Sequence, residues 1–128
     1  MNLIINHNFI TGPPQPLYVE RTLVFRENQS LNLPCEYRGR PEPTIYWVRN
    51  DQRLRRDSKI SNSSENNRNT SQSDYGSSKQ LTNGSWHVPH ASIEDSGLYK
   101  CVMNSSFGQS TSNVFLTVAK GEKNDLFI

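Results

Sequence analysis

The run Asp95-Ser96-Gly97-Leu98-Tyr99-Lys100-Cys101 decides the fold, together with Cys35 and the run Gly39-x-Pro41-x-Pro43-x-Ile45-x-Trp47 that follows it. Cys35 and Cys101 are the only cysteines of the chain, and Trp47 is one of its two tryptophans. Ile45 and Trp47 are two positions apart, so in an extended strand they point to the same face. Asn50-Asp51, just beyond them, is a turn signal.

Working outward, Glu27-Asn28-Gln29-Ser30-Leu31-Asn32-Leu33 has the form of a turn entering a strand, and Asn83-Gly84-Ser85-Trp86-His87-Val88 that of a turn followed by another. Taken together, these runs resemble the intermediate-set immunoglobulin family over roughly residues 17–118. The resemblance implies an all-β fold: an immunoglobulin-like β-sandwich of two antiparallel sheets with Greek-key connections. One inter-sheet disulfide, Cys35 to Cys101, would staple the sheets, with Trp47 packed against it. Tyr99, two residues before the second cysteine, would bond back through its hydroxyl to nearby backbone and lock a corner. Leu33, Ile45, Val88, Asp95 and Gly97 complete the expected structural core. In the family an aspartate like Asp95 pairs with a basic residue near the start of strand D, and Lys59, Arg68 and Lys79 compete for that role. Strand D itself has two candidate positions, Lys59-Ile60-Ser61 and Lys79-Gln80-Leu81-Thr82, of which the second is preferred. The family's common asparagine four residues after the second cysteine is Ser105 here, with Asn104 one place early, whereas Gly108 keeps its usual position.

This implies a lead-in at residues 1–16, a domain at 17–118 and a C-terminal linker at 119–128. Gly12-Pro13-Pro14-Gln15-Pro16 reads as a stiff, extended approach, since proline fixes the backbone and withholds donors. Strands are expected near Leu17–Thr22 with a continuation to Arg26, and near Leu31–Glu36, Thr44–Arg49 and Arg53–Arg55. The later ones fall near Ser85–Val88, Gly97–Met103 and Ser110–Val118. Pro34 and Pro89 cut against this pattern, because each removes a donor from a strand that pairs inside a sheet, and a bulge, an open register or solvent is expected there. Residues 57–80 are rich in Ser and Asn and hold few large apolar side chains. They read as an insertion that buries too little surface to offset its ordering entropy.

A chain of 128 residues with 33% hydrophobic content, mean hydropathy −0.75 and net charge +2 suits one small domain with a modest core. The disulfide would close a loop of about 65 residues and contribute on the order of 4 kcal/mol, a large share of a net stability of about 5–15 kcal/mol. Paired cysteines imply an oxidising compartment. So do five acceptor sequons for N-linked glycan, at Asn28, Asn62, Asn69, Asn83 and Asn104, although chance alone would supply about two or three in this composition. The N-terminus lacks the basic region and apolar run of a secretory signal, and no stretch is long enough to span a bilayer. The expectation is a piece of a larger secreted or cell-surface protein, with membrane contact only through segments outside this chain. The tail from Lys120 to Ile128 ends on three apolar residues and suits either the approach to a transmembrane helix or an ordinary linker.

No nucleophile elbow, phosphate loop or paired-carboxylate arrangement is present, so no catalytic residue and no cofactor are expected. His87, His90, Glu94 and Asp95 match no strong zinc spacing, and no metal site is expected. Arg49, Arg53, Arg55, Arg56 and Lys59 form a dense basic cluster, with Arg38 and Arg40 in the preceding loop. They make a candidate patch for an acidic protein surface or a sulfated glycan, or else a solvated edge whose charges deter aggregation. No aromatic residues interleave as nucleic-acid stacking platforms would. The resemblance implies an extracellular module for noncovalent recognition of a protein ligand or adhesion partner, within a cell-surface receptor such as a receptor tyrosine kinase. The motif runs are equally similar to those of growth factor receptors, neural adhesion proteins and axon-guidance receptors. The alternative is an intracellular structural domain of muscle-filament type, which shares the Pro-x-Pro-x-Ile-x-Trp run.

Overall fold

The computed structural model of the chain describes residues 4–5, 10–55 and 77–121. Its strands are β1 (Ile4–Ile5), β2 (Ile10–Thr11), β3 (Gln15–Pro16), β4 (Glu20–Arg26), β5 (Leu31–Leu33) and β6 (Tyr37–Arg38). Then come β7 (Thr44–Arg49), β8 (Gln52–Arg53), β9 (Lys79–Gln80), β10 (Trp86–Val88), β11 (Gly97–Ser105) and β12 (Gly108–Ala119). A 3-10 turn at Ile93–Asp95 precedes β11.

Among the described residues, five strands form one sheet in the order β4-β12-β11-β7-β8 and three form another in the order β5-β10-β9. Neighbours run antiparallel except at β4, which lies parallel to β12. That single pairing departs from the expected all-antiparallel sheets. Leu17–Val19 causes it, by carrying the chain from β3, which pairs with β6, across to the outer side of β12. The strand expected from Leu17 therefore begins at Glu20.

Of the residues ahead of Leu17, Gly12, Pro14, Gln15 and Pro16 are tied into the sandwich. Gln15–Pro16 pairs with Tyr37–Arg38, the Gly12 N–H donates to the Arg40 carbonyl at 3.0 Å, and the Ser110 hydroxyl donates to the Pro14 carbonyl at 2.6 Å. Each proline that cut against the pattern marks a strand end. β5 stops at Leu33, ahead of Pro34, and extended pairing resumes only at Tyr37, while β10 stops at Val88, ahead of Pro89. A missing donor thus terminates each ladder, as the chemistry of proline requires.

The core follows the two-residue period. Val114, Leu116 and Val118 of β12 and Tyr99, Cys101 and Met103 of β11 face inward, opposite Leu31, Leu33, Trp86 and Val88 of the smaller sheet. Cys35 and Cys101 join the two layers through a disulfide with Cα atoms 6.2 Å apart. Trp47 stands directly beside Cys101 across the β7–β11 ladder and is fully buried. Two left-handed residues, Asn50 (φ 53°) and Asp51 (φ 63°), make the two-residue turn between β7 and β8. Asparagine and aspartate tolerate that conformation, and its twist matches a tight hairpin. β8 is shorter than the expected Arg53–Arg55.

Candidate functional site

The expected structural residues converge on two points. At one, the Trp47 indole N–H donates to the Gly84 carbonyl at 2.8 Å. Gly84 sits at φ 94°, and a Cβ there would lie 2.8 Å from Cδ1 of the half-buried Ile45. Asn83 shapes this turn by accepting at Oδ1 from both the backbone N–H and the hydroxyl of Ser85. At the other point, the Tyr99 hydroxyl donates to the Asp95 carbonyl at 2.7 Å. Burial pushes the Tyr99 phenol up to about 12, with nearby Arg49 opposing that shift and Asp95 adding to it.

Arg49 departs from the basic-patch expectation. It follows Ile45 and Trp47 at the two-residue period and so turns to the inner side of β7. Its Nη2 donates to the Glu94 carbonyl at 2.5 Å and to the Ser96 carbonyl at 3.0 Å, and its guanidinium lies 5.0 Å from the Tyr99 ring centre. The side chain clamps the 3-10 turn to β7. The Asp95 carboxylate accepts the Ser92 N–H at 2.8 Å and helps shape the turn. Among the described residues the ion pair found is Arg21–Glu36 at 3.4 Å. Lys79 lies on β9, at the preferred position for strand D, where it pairs with His87 in the ladder. Lys59 and Arg68 lie outside the described residues.

What remains of the basic cluster is a short, exposed edge. Arg53 on β8 stacks over the Tyr46 ring at 4.0 Å, which fixes a guanidinium by a cation–π contact while leaving it open to solvent. Arg55 follows, also exposed. Both line an open groove of about 1160 Å³ with Tyr37, Glu42, Thr44 and Gln80. Burial raises the Tyr37 phenol above 10.0, with Glu42 adding to the shift and Arg40 opposing it. Arg38 and Arg40 do not line this groove, and their backbones pair with Gln15 and Thr11 respectively. Arg56 and Lys59 lie outside the described residues.

Three sequons can be placed. Asn28, at φ 73°, is exposed in the turn before β5, Asn83 in the turn before β10, and Asn104 near the end of β11. Asn62 and Asn69 lie outside the described residues. His87 is tied to Asn32 across the β5–β10 ladder, Nδ1 to Oδ1 at 2.6 Å, and His90 is exposed. Sequence reasoning missed Trp86, a second buried indole in the core, and the clamp made by Arg49. The two-residue period carried a signal for both. Among the described residues no helix is long and apolar enough to cross a membrane.

The immunoglobulin I-set domain family matches residues 14–118. The chain is similar to immunoglobulin superfamily member 10 of Homo sapiens, with 27% identity over 118 residues, covering 91% of this chain and 4% of that protein. It is also similar to the leucine-rich repeat and immunoglobulin-like domain-containing nogo receptor-interacting protein 2 of Mus musculus. That match is 30% identical over 106 residues and covers 83% of this chain and 15% of that protein. Among solved structures, neural ectodermal development factor IMP-L2 superposes with a TM-score of 0.64 at 23% identity, over 87% of this chain and 46% of that one. The last likeness is one of fold. The chain spans only a small part of the two curated relatives' length.

Proposed function

Because the chain belongs to the immunoglobulin I-set family, we propose that it is an extracellular recognition module of a cell-surface receptor or adhesion protein, a receptor tyrosine kinase being one such context. Its mechanism is noncovalent: a disulfide-closed frame holds an exposed edge toward an acidic protein surface. The observation that carries this reading is Arg53, fixed over Tyr46 and open to solvent beside Arg55 on the rim of a groove. A guanidinium held in place loses less freedom on pairing with a carboxylate, and it presents a planar fork of donors. The module spans residues 17–118 and the strands ahead of them, and it carries N-linked glycan at Asn28, Asn83 and Asn104. At Asn83 the Oδ1 atom serves the turn, so Nδ2 is the atom that would carry the sugar.

Two measurements test this. Intact mass after secretion from eukaryotic cells, with and without glycosidase and reductant, should give a glycosylated species with a closed Cys35–Cys101 bond. A single unglycosylated species with two free thiols would favour the intracellular structural domain instead. Arg53→Ala with Arg55→Ala should weaken capture of the protein partner by about tenfold or more. If the pair instead abolishes retention on a sulfated glycan and leaves protein capture intact, the edge reads glycan.

A further inference from the structure

The two long borders of the larger sheet are unlike. β8, at one border, has two residues and exposes Arg53. β4, at the other, has seven residues, Glu20-Arg21-Thr22-Leu23-Val24-Phe25-Arg26, and among the described residues it pairs on one side only. At its two ends the Asn113 N–H donates to the Val19 carbonyl and the Glu27 N–H to the Ala119 carbonyl. Since ladder bonds alternate along a strand, the odd-numbered residues of β4 serve β12. The N–H and C=O groups of Glu20, Thr22 and Val24 face the open border. The border closes at Arg26, where the Gln29 side chain accepts the Arg26 N–H at 2.7 Å and the Gln29 N–H donates to the Arg26 carbonyl at 3.2 Å. Glu20, Thr22, Val24 and Arg26 also share the outer face, all exposed, with Val24 at 65%. That face continues through Phe115, opposite Thr22, to Leu98, opposite Phe115.

We propose that β4 is a self-association edge whose partner is a second copy of this chain, joined antiparallel about a two-fold axis at Leu23. In that register Thr22 of one copy pairs with Val24 of the other, twice, and each pair exchanges two backbone bonds because both residues face the border. Glu20 then stands beside Arg26 of the other copy at both ends. Parallel, in-register pairing would instead oppose Glu20 to Glu20 and Arg26 to Arg26. Charge therefore selects the antiparallel arrangement, which is also the closed one. Val24 of each copy comes to lie beside Thr22 of the other, in the row that runs on to that copy's Phe115, and so extends and partly covers an exposed apolar row. Over its open residues the border carries no proline or bulge, and its charges, Glu20 and Arg26, stand at the two ends, where the antiparallel register pairs them instead of opposing like to like. This surface is separate from the groove at Arg53 and does not rest on its reading.

The test is sedimentation of the full chain up to about 1 mM, paired with amide hydrogen exchange. The expected result is a monomer–dimer equilibrium in which protection of the Thr22 and Val24 amides rises with concentration while Leu23, already bonded to β12, does not change. Glu20→Lys should weaken the dimer by about tenfold, and the double variant Glu20→Lys with Arg26→Glu should restore it. Val24→Lys should abolish it with the melting transition retained. A chain that stays monomeric throughout, Thr22 and Val24 amides insensitive to concentration, or a charge-swapped pair as weak as Glu20→Lys alone would each overturn the proposal.

Discussion

Replacing Arg49 with methionine separates a structural arginine from its exposed neighbours. Methionine keeps most of the aliphatic stem and removes the guanidinium, so the loss is the pair of charge-assisted bonds to the Glu94 and Ser96 carbonyls and the contact with the Tyr99 ring. A hydrogen bond to a charged group contributes about 1.5–3 kcal/mol net. Here one Nη2 atom makes both bonds, and one of them is exposed, so the two together contribute about 2–3 kcal/mol. With an unfolding entropy of about 2.1 cal/mol/K per residue, a chain of 128 residues should lose about 7–11 °C in melting temperature. Arg53→Ala and Arg55→Ala, both at exposed positions, should each stay within about 0.5 kcal/mol of the parent. The assay is thermal unfolding followed by circular dichroism, run beside partner capture. The reasoning is refuted if Arg49→Met melts within about 2 °C of the parent while losing partner capture, because Arg49 would then belong to the binding edge.

Other consequences follow from the same corner and its neighbours. The folded Tyr99 phenol titrates at about 12, above its ordinary 10.0, mainly through burial. Its stabilising contribution is therefore complete below pH 10 and is lost as pH rises toward 12; urea midpoints across that window should fall more steeply for the parent than for Tyr99→Phe. Opening the Cys35–Cys101 bond, which links positions 66 apart, should cost on the order of 4 kcal/mol in the chain-entropy picture, measured as the difference in denaturant midpoint between Cys35→Ala/Cys101→Ala and the parent. Gly84→Ala forces a side chain into a left-handed backbone against Ile45 and should cost about 2 kcal/mol; adding Ile45→Val removes the clashing Cδ1 and should recover part of that loss in the same measurement.

The fold was legible wherever chemistry acts locally. The cysteines, Trp47 and the tyrosine corner are short-range patterns, and the Asn50-Asp51 pair announced the left-handed turn that joins β7 to β8. Strand limits were less legible because they depend on partners far away in sequence. Nothing within Leu17–Val19 says that the chain will leave β6 and align parallel with β12, since that choice is made by residues about a hundred positions downstream. The prolines at 34 and 89 were recognised as obstacles, but whether a ladder bulges or ends there depends on the strand opposite.

The candidate site was half legible, for a physical reason. A run of arginines is conspicuous as composition, yet a strand sends alternate residues to opposite faces and a tight hairpin reverses the chain. Proximity in sequence therefore does not make a common surface. Arg49 shares its parity with Ile45 and Trp47, and the same rule that put those two in the core sends the guanidinium inward to the carbonyls of the 3-10 turn. Arg53 lies beyond the turn and opposite Val48 in the ladder. It comes out on the solvent side, where Tyr46 can hold it. On β4 the same alternation aligns Glu20, Thr22, Val24 and Arg26 on one exposed face with opposite charges at its ends. A seven-residue strand with no conspicuous motif thus carries more of the ordered, self-complementary surface than the arginine-rich stretch does.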